Sequence, residues 1–262
     1  MKQFLVGVFL AVCLVMPIGA NAATYDERVS YLHELYELLA QLRSMQASLS
    51  EGVSDDSTIR AYSSARTSLR QSKYYQGPYE AIYIVEDGTL FPYRNTIRKQ
   101  EDGALWNLLT RVWGDDAVED YVREFRLYYD RDGKYDAFVE RQGGDYWIVG
   151  INLASVATDS SLAQNITTEL LVHEYAHVLH YYYPEIGAAF AEKFWNPPSR
   201  KTRDYVSNYA MESAEEDFAE SFMFFVLDVE PEGSGADEKI NFFYDDDTFW
   251  DIRGEIRDRL YK

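Results

Sequence analysis

His173-Glu174-Tyr175-Ala176-His177 lies inside Leu162–Tyr183, a segment that reads as one long helix stopped by Pro184. Residues four apart share a helix face, about one turn apart. Two imidazoles placed so can converge on one metal ion. A Glu one position after the first His can stand beside a metal-activated water as general base. Zinc enzymes of this kind use three protein ligands and leave one position open. The chain has four His in all, so composition alone does not produce the pattern. His173 and His177 are therefore candidate ligands, and Glu174 the candidate base. His180 shares the face but lies seven residues beyond His173, a rise of about 10 Å. That is too far for three ligands on one tetrahedral ion, so His180 belongs to the rim or to the support behind the ligands. His33 reads as a His on the polar side of an N-terminal helix.

No His follows His180, which excludes a third His ligand in the spacing HExxHxxGxxH. The third ligand is then a carboxylate. The best place is Ser213-Ala214-Glu215-Glu216-Asp217-Phe218-Ala219-Glu220-Ser221-Phe222, the start of a second long helix over Glu212–Leu227. From Phe218 onward that helix is apolar almost all round and should be buried. Glu216 and Glu220 share one side, and a buried carboxylate needs a partner. A metal suits one of them, and a ligand His suits the other. Ser213-x-x-Glu216 is also a capping box, and acids in a first turn favour the helix dipole. That reading accounts for Glu216 without a metal, and for Glu215 and Asp217, but not for Glu220.

Working outward, Glu80–Val85 and Thr89–Tyr93 form an expected hairpin across Glu86-Asp87-Gly88. Ala104–Trp113 is a short helix ended by Gly114. Glu124–Tyr129, Tyr135–Arg141 and Tyr146–Leu153 read as strands joined by hairpin turns at Asp130–Gly133 and Gln142–Asp145. Ile240–Tyr244 and a helix over Thr248–Leu260 close the chain. Strands followed by buried helices make an α+β domain. Before it, Asp26–Leu49 and, more weakly, Thr58–Ser72 read as an N-terminal helical hairpin. Residues 23–75 are thus a separate segment, an integral cap by default, with a pro-segment or partner-binding helix as alternatives. Residues 76–262 form the catalytic domain.

Residues 1–22 have the pattern of a secretory signal: Lys2, an apolar Phe4–Met16, and Ala20-Asn21-Ala22 as cleavage site. A secreted or extracytoplasmic protein is expected. Cys13, the only cysteine, leaves with the signal, so the mature chain has no disulfide. No later stretch approaches the roughly 20 apolar residues of a membrane span. Net charge is −19, one unit more negative without the first 22 residues, which carry Lys2 and no acid. This disfavours nucleic acid and anionic membranes as partners.

The pairing of His-Glu-Tyr-Ala-His with Asn208-Tyr209 and Glu216-x-x-x-Glu220 resembles the anthrax-lethal-factor-like metallopeptidases, a gluzincin group that includes secreted Pro-Pro endopeptidases. The resemblance covers about Leu162–Leu227. It implies a zincin-like domain with a small mixed sheet, the HExxH helix and a second ligand-bearing helix. It implies one Zn2+ per chain on His173, His177 and Glu216, and a secreted endopeptidase acting on protein or peptide substrates. It also implies that Tyr209, seven residues before Glu216, assists the transition state, and that Tyr146–Leu153 is the edge strand pairing with an extended peptide, with Asn152 and Ala154 near the groove. An ordinary sheet strand, and a Tyr that merely precedes a helix, fit the same residues. Glu220 and His180 would support the ligands. Two other readings remain: a silent zinc-containing binding module, against which Glu174 speaks, and another zinc hydrolase such as a cell-wall amidase.

Overall fold

The computed structural model describes residues 69–142, 146–156, 161–196, 201–231 and 235–262. The signal sequence, His33 and the first expected helix lie outside the described residues, as does most of the second. Its last four residues, 69–72, have no regular structure.

The expected first hairpin is present. β1 (Tyr79–Glu86) and β2 (Thr89–Pro92) run antiparallel across Asp87-Gly88. Both turn residues have positive φ, 48° and 70°, the pair of conformations that a two-residue hairpin turn needs. Ala81, Tyr83 and Val85 alternate inward. Helix α1 (Gln100–Trp113) ends at Gly114 with φ 89°, and a short α2 (Asp115–Tyr121), unforeseen in the sequence, follows. Then come β3 (Val122–Tyr128), β4 (Ala137–Gln142) and β5 (Tyr146–Asn152).

The strand order is β2-β1-β3-β5-β4. β3 and β4 are therefore not the hairpin that the Asp130–Gly133 turn suggested. β5 inserts between them, parallel to β3 and antiparallel to β4. The composition explains the order. β5 is buried on both faces from Trp147 to Asn152, as an interior strand must be. β4 ends in Glu140-Arg141-Gln142, whose charge suits an edge. Asn152, expected near the groove, is instead 1% exposed and ties the β3–β4 loop to β5. Its Nδ2 donates to Asp130 O at 2.7 Å, and its Oδ1 accepts from Asp130 N at 2.9 Å.

One sheet face packs Phe125, Leu127, Val149 and Ile151 into the main core beneath α1 and the motif helix α3 (Ser161–Tyr182). The other face carries a smaller cluster of Tyr128, Phe138 and Ile148. Residues 70–75 lie across it as a strap. Tyr75 stacks on Tyr128 at 4.2 Å, and buried Arg126, paired with Glu124 at 2.6 Å, donates to Arg70 O. Gly150 is required beneath the strap, because a Cβ there would sit 2.2 Å from the Phe138 ring.

Pro184 stops α3 and opens α4 (Pro184–Trp195) at its first position, where a missing N–H costs nothing. α5 (Ala214–Leu227) is buried almost throughout from Asp217 to Val226, as its composition required. α6 (Asp237–Tyr244) and α7 (Asp247–Tyr261) close a cluster of fully buried Phe190, Phe218, Phe222, Phe225, Phe243 and Phe249 around it. The described residues thus form a five-stranded mixed sheet with seven α-helices, an α+β organisation. None of these helices is long and apolar enough to cross a membrane.

Candidate metal centre

α3 and α5 are apolar nearly all round and pack on each other, so the few polar side chains between them must satisfy one another. His173 and Glu174 are 6% and 5% exposed. His173 Nε2 and His177 Nε2 stand 3.2 Å apart. Glu216 Oε2, from α5, is 3.2 Å from the first and 3.3 Å from the second. Ligand atoms at about 2.0–2.2 Å from a tetrahedral ion are separated by about 3.3–3.6 Å, close to this triangle. Glu216 Oε2 is buried, and despite these short distances it has no hydrogen bond of acceptable geometry. An orphaned anionic oxygen beside two converging imidazole nitrogens is what a site shaped around a cation leaves behind. The three residues can hold a metal ion.

Glu220, one turn along α5, lies against His173. Its Oε1 is 2.7 Å from His173 Nδ1. A carboxylate there keeps the ring proton on Nδ1 and leaves Nε2 bare for a metal. Its Oε2 accepts from Ser207 Oγ at 2.6 Å, and that Oγ accepts from Ala210 N. Ser207 was not found from the sequence, because no spacing rule links it to Glu220. In the metal-free protein, burial opposes charge on His173, but the Glu216 and Glu220 carboxylates outweigh it and raise its pKa to about 10. Burial also works against the charge of both carboxylates, yet the two imidazoles hold Glu216 far below the usual carboxylate range, and His173 with Ser207 holds Glu220 below it.

The two readings of Glu216 fall on different atoms. Its backbone N–H donates to Ser213 Oγ at 3.1 Å, the expected cap, while its carboxylate turns to the histidines. Asp217 lies in the first turn, as expected, and has a further role there. It is fully buried and accepts from Lys239 Nζ at 2.6 Å and Trp195 Nε1 at 2.7 Å, which fastens α5 to α6 and α4. Glu215 stays exposed on the lip of the cleft.

A cleft of about 350 Å3 opens over the triangle, between α3, α5, β4 and the strap. Glu174 and Tyr209 line it. Burial raises the Glu174 carboxyl, and the Val139 backbone N–H bonds to it. Tyr209 begins a short 3-10 turn (Tyr209–Met211), and its ring centroid is 5.7 Å from that of His173. Burial, with Glu216 and Glu174 nearby, keeps its hydroxyl protonated, a donor and not an anion. His180 lines the cleft one turn beyond His177, edge-on to Phe218 at 5.0 Å, apart from the three converging atoms. Burial lowers its pKa.

The edge strand bordering the cleft is β4, not β5. Asn152 N donates to Asp136 O, so by alternation Phe138 and Glu140 pair with β5, whereas Ala137, Val139 and Arg141 turn their backbone groups outward. Comparison of the chain with protein-family models, curated proteins and solved structures finds no match.

Proposed function

We propose that the chain is a secreted zinc-dependent endopeptidase with a zincin-like catalytic domain of the gluzincin type. The observation that carries this is the triangle of His173, His177 and Glu216 with the Glu174 carboxylate in the same cleft. Two His and one carboxylate also suit ferrous iron. A buried acid directly after the first His favours zinc, since hydrolysis needs a base there. Held by these residues, zinc would supply a Lewis acid for a water and for the scissile carbonyl. Glu174, raised by burial, takes the water's proton and later returns it to the leaving amine. Tyr209 donates its hydroxyl hydrogen to the oxygen on which negative charge develops. On the outward side of β4, the Ala137 backbone groups and the Val139 carbonyl, beside the Val139 N–H that Glu174 takes, offer an extended peptide a strand to pair with.

The test is to incubate purified residues 23–262, wild type and Glu174→Gln, with an unbiased peptide mixture, and to measure metal content of both. Cleavage by the wild type alone, with one zinc bound by each protein, is the expected result. Zinc in both without cleavage would favour a silent module, and loss of zinc from the variant would make Glu174 structural.

A further inference from the structure

The last helix breaks three local rules on one exposed face. Trp250 stands in the first turn of α7 and is 49% exposed. Gly254, one turn further on, is a helix-interior Gly, which weakens a helix relative to Ala. No packing accounts for it, because a Cβ there would meet nothing within 4 Å among the described residues. Asp247 and Asp251 form an exposed like-charged i, i+4 pair, and their carboxylates have no partner among the described residues. Residues 247, 250, 251 and 254 are neighbours on a helix surface, so the three departures coincide. Local rules broken together, with no gain inside the fold, mark a face built for something outside it.

The aromatic part of this face is held in place. Tyr244, at the end of α6 and 39% exposed, has its ring centroid 5.5 Å from that of Trp250. The Arg253 guanidinium lies 5.4 Å from both centroids. Arg253 is fixed in turn, since its Nε donates to Phe225 O at 2.8 Å and its Nη2 pairs with Asp228. The Tyr244 hydroxyl donates to the same Asp228 at 3.4 Å, and Arg257 pairs with the other oxygen at 2.6 Å. Both guanidinium groups thus turn to Asp228 at the end of α5. The exposed charges beside the two rings are Asp245, Asp247 and Asp251.

An exposed aromatic pair edged by carboxylates is complementary to a Lys or Arg side chain. The ring face attracts the cation, and the acids accept from its N–H groups. A side chain at position 254 would lean toward the start of the helix and cover Trp250, and Gly leaves that approach open. We propose that this face of α7 docks a Lys- or Arg-bearing segment of a partner protein, with the cation on Trp250 between Asp247 and Asp251. Docking there does not depend on the metal group.

The probes are labelled Gly-Ser peptides of one length that carry several Lys, several Arg, several Glu or no charge. They are titrated into purified residues 23–262 at physiological ionic strength and followed by anisotropy, with melting of each variant as the check on folding. The Lys and Arg peptides should bind and the others should not. Trp250→Ala should weaken that binding about three- to tenfold, and Asp247→Asn with Asp251→Asn by a similar factor. Removing the same charge from α2, in Asp115→Asn with Asp116→Asn, should leave it unchanged. Gly254→Gln should raise the melting temperature yet weaken binding, a split that a purely structural Gly would not give. Absence of binding by both cationic peptides overturns the proposal. So does an affinity indifferent to Trp250→Ala and to the Asp247 and Asp251 changes, or an equal loss in the α2 control. Self-association of the wild type that Trp250→Ala abolishes would assign the face to a second copy and overturn it too.

Discussion

Removing the Glu220 carboxylate should weaken metal binding without touching a ligand. Glu220 Oε1 lies 2.7 Å from His173 Nδ1, and its side chain is 12% exposed, so little water can replace it. In Glu220→Ala the Nδ1–H loses its acceptor and the ring loses the contact that fixes its tautomer. Such outer carboxylates are worth about 10- to 100-fold in metal affinity, or about 1.4–2.7 kcal/mol. Burial and the short distance place this one in the upper half of that range. Glu220→Gln should lose less than tenfold, because its amide oxygen still accepts from Nδ1–H while its NH2 donates to Ser207 Oγ. Ser207→Ala should cost little in the wild type and nothing further in Glu220→Ala, since the hydroxyl acts through the carboxylate. Zinc affinity is read by competition with a chromogenic chelator, and melting of the metal-free proteins shows whether each variant folds. A folded Glu220→Ala that holds zinc as tightly as the wild type would refute the supporting role.

Tyr209→Phe should lower kcat about 100-fold with zinc content unchanged, as loss of an oxyanion donor does; an unaltered rate removes Tyr209 from the chemistry. The metal-free protein should lose stability as pH rises through the window from about 6.5 toward about 10. His173 is raised above its unfolded value, so its contribution is complete below the lower limit and gone above the upper. Zinc bound as proposed would displace that proton, so its apparent affinity should rise about tenfold per pH unit inside the window. Constant affinity between pH 7 and 9, measured calorimetrically in two buffers, would contradict this. Lys239→Met strands the fully buried Asp217 carboxylate and should cost about 3–5 kcal/mol in urea unfolding. Asp217→Asn with Lys239→Met should recover most of it, and a double variant no better than the single would show that the pair is not coupled.

The metal group was legible because its geometry is local. An i, i+4 pair on one helix states its position in the sequence itself, and acids on an otherwise apolar helix stand out, though the choice of Glu216 over Glu220 came from the resemblance. The sheet order was not, because turn residues between β3 and β4 say that the chain reverses, not which strand it then lies beside. Burial of β5 on both faces decided that, and it moved the free edge from Tyr146–Asn152 to Ala137–Gln142. The Asp217–Lys239 pair was hidden for a related reason. The partners are 22 residues apart, and the first-turn position of Asp217 offered a sufficient local explanation. Lys73 and Tyr74 reach the cleft only through packing of the strap on β4.

Charge balance explains why the site suits a divalent ion. Without metal, Glu216 and Glu220 are held ionised in a largely buried interface, and a protonated His173 between them neutralises only one of the two charges. One negative charge is left over beside the three converging atoms. A divalent ion replaces the single proton and brings the group to neutrality, removing the unbalanced charge that burial penalises. A monovalent ion would leave the imbalance as it is. On the proposed reading, the site would therefore select an ion by charge as well as by spacing. On the same reading Glu220 would serve both states, as the counter-ion of a protonated His173 without metal and as the acceptor that aims the neutral ring with it.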